Sequence, residues 1–181
     1  FQAVPGVLSA TQAKHVLGVQ ANLWTEHMPT FGHVEHAAFP RLDALGEAAW
    51  SPAGTNHWPD FLARLPAQLE RYRTQHVNVA DSAFAVDIAT DRNLALATGK
   101  ATVTLSNQTD FGTIRYTLDG SAPTPTAPRY AAPFNVSLPV SVRAASFAAD
   151  GSPLAAPRER VLDRAALLSF PGSTLPNCPG S

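Results

Sequence analysis

The chain has 181 residues, of which 45% are hydrophobic and 15% charged, and its formal net charge is −1. This composition fits one or two globular domains and gives no electrostatic footprint for nucleic acid or an anionic membrane. The single cysteine, Cys178, excludes an internal disulfide framework, and no apolar run approaches the ~20 residues of a membrane span. The chain starts at Phe1 without an initiator Met or a signal peptide, so we expect a piece of a longer protein.

Residues 1–80 are predicted to hold one strand followed by helices. Val16–Val19 is short, apolar and β-branched, which is typical of a strand buried on both faces. Helical spacing follows from Gly32 to Phe39 and from Pro40 to Trp50, and an amphipathic helix with a bend near Pro66 runs from Trp58 to Tyr72. Because a strand followed by a helix is half of a βαβ unit, we expect an α/β domain here.

After residue 80 the pattern changes to short alternating strands. Ala101–Leu105, Thr113–Leu118 and Val140–Phe147 alternate apolar and polar residues, and turn sequences lie between them. Several such strands over ~80 residues predict a small β-sandwich. The sequence is therefore α/β followed by all-β, with domains at 1–80 and 81–163 and an irregular tail at 164–181.

The α/β part is too short to bury its own apolar surface. One strand in eighty residues lacks the neighbours that a doubly buried strand needs, and a complete βα-barrel takes about 250 residues. We therefore expect the rest of a barrel to be supplied by upstream residues or by another chain. In such a barrel the chemistry lies at the C-terminal ends of the strands, which is where Trp24-Thr25-Glu26 follows Val16–Val19.

Two sets of motifs, in order, resemble a known family. The first set resembles the C-terminal end of the catalytic barrel of family 20 β-N-acetylhexosaminidases, the chitobiase group: Trp24-Thr25-Glu26, Phe39-Pro40-Arg41-Leu42, Ala44–Ser51 and Trp58–Leu65. The second set, Ile114–Thr124 with Tyr130 and Pro133, is similar to the sandwich domain that follows that barrel in bacterial members. The resemblance implies the last βα portion of a (β/α)8 barrel and then an immunoglobulin-like β-sandwich.

The resemblance also implies roles for two side chains. Trp24 would form part of the apolar wall around the substrate sugar and its N-acetyl group, and Glu26 would accept hydrogen bonds from hydroxyls of the terminal sugar. The family's catalytic Asp-Glu pair is absent, because no Asp-Glu dipeptide occurs in this chain, and we expect it upstream. The mechanism implied is substrate-assisted, without a metal or cofactor, and the 181-residue chain alone is predicted to be inactive.

The implied protein is a secreted or periplasmic exo-enzyme. It would release terminal N-acetylglucosamine or N-acetylgalactosamine from chitooligosaccharides or glycans. Two alternatives stay open: a non-catalytic sandwich module that binds carbohydrate or protein and carries a barrel remnant, and an interaction protein completed by another subunit. Exposed aromatic side chains lined up on the sandwich would favour the binding module, whereas Trp24 and Glu26 facing a concave opening would favour the enzyme.

Other polar residues have structural explanations that compete with functional ones. His27, His33, Glu35 and His36 do not match a His-Glu-x-x-His metal motif. Arg41 and Glu47 are expected to make ion pairs that hold helix to barrel, and Asp119-Gly120-Ser121 is expected to be a turn and not a calcium loop. Asn107 and Asn135 stand in glycosylation sequons that we interpret as chance matches.

Overall fold

The structure is a computed structural model that describes residues 4–52, 54–55 and 57–169. Cys178 lies outside the described residues. The chain divides into two compact units, Phe1–Ala80 and Asp81–Ser181. Within the described residues, no helix is both long enough and apolar enough to cross a bilayer.

The described part of the first unit is built from helices. They are α1 (Ala10–Ala13), α2 (Phe31–Ala38), α3 (Arg41–Trp50) and α4 (Trp58–Thr74), with a 3-10 turn at Thr25–His27. The prediction of an amphipathic helix from Trp58 is confirmed, because Phe61, Leu62, Leu65 and Leu69 of α4 are all buried. Pro66 lies inside α4, and Pro59 occupies its first turn, where its missing N–H costs nothing.

The predicted strand Val16–Val19 is not formed. The segment has no regular secondary structure, and Leu17 is 98% exposed. The physical reason is that a strand exists only through hydrogen bonds to a neighbouring strand, and the described residues of the first unit supply none. Of the α/β prediction, the structure therefore contains the helices but not the strand.

The second unit contains two antiparallel three-stranded sheets and two short helices. Its elements are β1 (Asp87–Thr90), α5 (Arg92–Thr98), β2 (Lys100–Ser106), β3 (Thr113–Thr117), β4 (Phe134–Ser137), β5 (Val140–Phe147), β6 (Arg158–Leu162) and α6 (Arg164–Leu168). The strand orders are β1-β2-β4 in one sheet and β3-β5-β6 in the other, so β2 and β5 are the central strands. The three predicted strands are confirmed as β2, β3 and β5.

Alternation explains why these strands share one core. In β2 every second residue is buried (Ala101, Val103 and Leu105), and from the other sheet Val142, Ala144 and Leu162 join the same apolar cluster. The register pairs Val103 with Phe134 across β2 and β4, and Tyr116 with Ala144 across β3 and β5.

The prediction that residues from 164 onward are irregular is wrong at its start. Asp163 accepts a hydrogen bond from the backbone N of Ala166 at 2.7 Å and so caps α6, and Leu167 is buried in the common core. A capped turn with one apolar anchor is enough to order this segment, even though five residues are too few for a periodic pattern. The residues from 170 onward lie outside the described part of the chain.

Candidate functional site

Trp24, Thr25 and Glu26 lie on the short turn that precedes α2. The 3-10 turn Thr25–His27 is closed by a hydrogen bond from the backbone N of Met28 to the carbonyl of Thr25 at 3.0 Å. Trp24 is 70% exposed, and Glu26 is exposed as well. Neither side chain is part of the apolar core, so core packing does not account for this tryptophan in the first unit. The structure thus brings both predicted sugar-binding residues to one solvent-facing turn.

The turn is attached closely to α2. Only Met28, Pro29 and Thr30 separate it from the helix, and the Thr30 hydroxyl caps α2 by accepting from the backbone N of His33 at 3.3 Å. At the other end of α2, Arg41 donates from Nη1 to the carbonyls of His36 and Ala37, both at 3.0 Å. Arg41 therefore caps this helix, and among the described residues it does not make the ion pair that was expected of it.

Helices α3 and α4 are joined by polar contacts. Glu47 Oε1 accepts from Arg64 Nη2 at 2.6 Å, and the Tyr72 hydroxyl donates to Asp43 Oδ1 at 2.8 Å. The Tyr72 ring also packs against Phe39, with ring centroids 4.8 Å apart. Glu47 therefore makes an ion pair, as expected, and this pair links two helices.

Asp43 is the acidic residue of this contact, and its surroundings affect its titration. Its Oδ2 atom is buried and has no hydrogen-bond partner among the described residues. Burial raises the pKa of Asp43 above its usual range, and the hydrogen bond from Tyr72 opposes that shift in part. Sequence reasoning missed Asp43, since a single acidic residue on a helix has no pattern that marks it as buried.

The histidine-rich stretch next to the turn does not form a metal centre in the described structure. His27, His33 and His36 are exposed, and Glu35 is half-buried. Among the described residues, no group of three or more His, Cys, Asp or Glu side chains has the arrangement needed to hold a metal ion.

Three aromatic residues of the second unit, Tyr116, Tyr130 and Phe134, pack inward. Tyr116 stacks on Phe134 with ring centroids 4.5 Å apart, and Tyr130 meets Phe134 edge-on at 6.3 Å. All three are partly buried against the common core. An aromatic platform for carbohydrate needs ring faces open to solvent, so these residues give no support to a binding module.

Asp119-Gly120-Ser121 is a turn, as expected. Asp119 Oδ1 accepts from the backbone N of Ser121 at 2.9 Å and from its hydroxyl at 2.6 Å, while Gly120 has a φ of +78°. These hydrogen bonds lower the pKa of Asp119. Asp150-Gly151-Ser152 repeats the same contacts, which likewise lower the pKa of Asp150.

The two sequons differ in accessibility. Asn107 is buried, and its amide donates to the carbonyl of Phe111 at 2.9 Å and to Ser146 Oγ at 3.1 Å. Asn135 is exposed on β4, and its Oδ1 accepts from the Thr102 hydroxyl at 2.8 Å. Because the Asn107 amide is buried and hydrogen-bonded, its role in the fold explains the asparagine of this sequon.

Comparison with known families identifies both units. Residues 1–53 match the family described as glycosyl hydrolase family 20, catalytic domain, and this range includes Trp24 and Glu26. Residues 96–156 match the chitobiase/beta-hexosaminidase C-terminal domain. The two matches occur in the order that the resemblance predicted.

Individual proteins give the same result. A beta-hexosaminidase of Porphyromonas gingivalis is 30% identical over 133 residues, which is 74% of this chain and 17% of that protein. A beta-hexosaminidase of Akkermansia muciniphila is 41% identical over 54 residues, covering 30% of this chain and 11% of the relative. A beta-N-acetylhexosaminidase of Cellulomonas fimi is 36% identical over 62 residues, or 34% of this chain and 12% of the relative.

The chain therefore spans less than a fifth of the length of the relatives that it matches. One matched range lies in each compact unit. The structure does not describe the first few residues of the first range. The two matches show a segment similar to the catalytic domain of the family 20 glycosyl hydrolases, followed in the same chain by a segment similar to the chitobiase/beta-hexosaminidase C-terminal domain.

Proposed function

We propose that this chain is the C-terminal portion of an exo-β-N-acetylhexosaminidase. The enzyme removes terminal N-acetylhexosamine residues from chitooligosaccharides or glycans by a retaining, substrate-assisted mechanism. The observation that carries the proposal is the pair of family matches in one chain, catalytic domain first and C-terminal domain second. We place the enzyme outside the cytoplasm, secreted or periplasmic, in keeping with a glycan substrate.

Trp24 and Glu26 supply part of the sugar site in this proposal. An indole face suits the C–H face of a pyranose and the acetamido methyl group, and Trp24 has its ring available because it is 70% exposed. A carboxylate is an acceptor only, so Glu26 can accept hydrogen bonds from two sugar hydroxyls at once. These residues bind and orient the terminal sugar, while the acid pair that drives cleavage is contributed by residues outside this chain.

The proposed fold of the whole enzyme accounts for the missing strand. Neighbouring barrel strands, from upstream residues or another chain, would pair with Val16–Val19 and bury it. For the second unit we infer an immunoglobulin-like sandwich. Its strand orders, β1-β2-β4 and β3-β5-β6, follow the order of the A-B-E and C-F-G strands of that fold without a D strand.

Hydrolysis of an aryl β-N-acetylglucosaminide by the longest natural protein that contains this chain tests the proposal. We expect turnover by that protein and none by the 181-residue chain. Glu26→Gln, which keeps one carbonyl acceptor but loses the charge, should lower kcat/KM by roughly tenfold or more. Glu47→Gln is the control, because Glu47 is engaged with Arg64. Equal activity of both variants and wild type would refute the assigned sugar site.

A further inference from the structure

The segment that follows α4 is fastened alongside α2. Asn78 Nδ2 donates to the carbonyl of Gly32 at 2.8 Å, and the backbone N of Asn78 donates to Glu35 Oε2 at 3.2 Å. Two residues later, the backbone N of Ala80 donates to the carbonyl of Phe39 at 3.0 Å. Residues 78–80 therefore lie against α2 from its first turn to its last.

Asn78 and Glu35 form a reciprocal contact, which we call the Asn78 clasp. Each side chain binds a backbone group on the opposite segment: Asn78 binds the carbonyl of Gly32, and Glu35 binds the N–H of Asn78. A Cβ at position 32 would lie 3.4 Å from Asn78 Nδ2, which is ordinary van der Waals contact, so the amide packs closely over this position. The clasp joins residues 46 positions apart in the sequence.

The clasp lies next to the proposed sugar-binding turn. The contacted carbonyl belongs to the second residue of α2, and only three residues separate α2 from the turn Thr25–His27. With Arg41 capping the other end of α2, both ends of this eight-residue helix are fixed. Because only three residues connect α2 to the turn, a displacement of the first turn of α2 can be transmitted to Glu26.

We propose that Asn78 is a positioning residue for the sugar site and acts through α2 on the turn that carries Trp24 and Glu26. This inference rests on the proposed function. Its test uses kinetics of the longest natural protein that contains this chain, with an aryl β-N-acetylglucosaminide as substrate. Asn78→Ala removes the amide donor, and we expect KM to rise roughly three- to tenfold, the range set by losing one hydrogen bond, with kcat within about twofold.

Two further variants separate positioning from general stability. Gln75→Ala is the matched control, because Gln75 is an exposed amide on the same segment whose side chain makes no hydrogen bond within the described structure. It should keep the wild-type KM. Asn78→Gln retains an amide donor on a longer side chain and should recover part of the loss. It also serves as the test variant if Asn78→Ala does not fold. In a Glu26→Gln background, Asn78→Ala should raise KM less than it does alone, since both changes act on the same contact.

Hydrogen exchange on the longest natural protein that contains this chain provides a readout that does not depend on activity. Asn78→Ala should speed exchange at the backbone amides of residues 26–34, while peptides from α4 stay unchanged. A wild-type KM for Asn78→Ala, alongside an impaired Glu26→Gln enzyme, would overturn the positioning role and leave the proposed function intact. Wild-type kinetics for both Glu26→Gln and Trp24→Ala would instead refute the sugar site itself, and the positioning role with it.

Discussion

Among the described glycines of the second unit, Gly112 is the one at which an added side chain would meet the closest contacts. It precedes β3 with a φ of +86°, in the left-handed region that disfavours every residue with a Cβ. A Cβ built there would lie 2.6 Å from Leu154 Cδ1 and 2.8 Å from the carbonyl oxygen of Phe147. Leu154 is buried, and Phe147 pairs with Thr113 in the sheet, so neither neighbour can move freely.

The expected cost of Gly112→Ala has two parts. The left-handed backbone costs about 1–2 kcal/mol for a residue with a Cβ. Forcing a methyl group into packed surroundings costs about 1–3 kcal/mol more, so the total is roughly 2–5 kcal/mol. Gly99→Ala is the matched control, because Gly99 has a φ of +68° but nothing within 4 Å of the added Cβ. It should cost only the backbone part.

Hydrogen exchange of peptides from β5 is the suitable assay, since all three tryptophans lie in the first unit and report nothing on this domain. A loss of 2 kcal/mol or more corresponds to exchange at least about 30-fold faster, if exchange requires unfolding of the domain. The two variants should differ by about 1–3 kcal/mol, the packing part alone. Exchange in Gly112→Ala that is no faster than in Gly99→Ala would refute the steric reasoning.

The pKa shifts give two predictions of opposite sign. Hydrogen bonds from Ser121 and Ser152 lower the pKa of Asp119 and Asp150 in the fold, so their contribution to stability is present above the unfolded value of 3.8 and is lost as the pH falls through the folded pKa. In urea unfolding, the free energy of unfolding of wild type should therefore fall toward that of the double variant Asp119→Asn/Asp150→Asn as the pH is lowered. Burial raises the pKa of Asp43, so its folded state loses stability as the pH rises from 3.8 through the folded pKa. The free energy of unfolding of Asp43→Asn should therefore increase relative to that of wild type as the pH rises through this range. For either prediction, a difference between variant and wild type that does not change with pH would contradict the pKa shift.

Whether a strand of the second unit could be predicted from the sequence depended on its position in the sheet. Both central strands, β2 and β5, were predicted, because a strand packed on the core carries a strong alternating pattern. Of the edge strands only β3 was predicted. Strand β4 alternates apolar and polar residues, but its four residues between Pro133 and Pro139 are too short a run to identify a strand. Strand β6 begins Arg158-Glu159-Arg160 and shows no apolar alternation.

The candidate site was also predicted only in part: residues of a contiguous motif were assigned, and a contact between distant segments was missed. Trp24 and Glu26 were assigned through motifs that are contiguous in sequence, and the structure places them on one exposed turn. The contact between Asn78 and Gly32 was missed, because a lone asparagine 46 residues away has no periodicity or motif to mark it. A hydrogen bond between distant segments becomes visible only when the fold brings its two ends together.

The predicted strand Val16–Val19, which does not form, indicates what kind of neighbours this segment needs. An apolar, β-branched run such as Val16–Val19 predicts burial between neighbours, yet Leu17 within it is 98% exposed. Trp50, at the end of α3, is 91% exposed as well. Both exposures follow if the sequence pattern is correct and the neighbours belong to residues outside this chain, as the proposed barrel requires. The sequence pattern therefore predicts a buried environment that these residues do not build alone, and pairing of Val16–Val19 in the proposed enzyme is the structural condition on which the proposed sugar site depends.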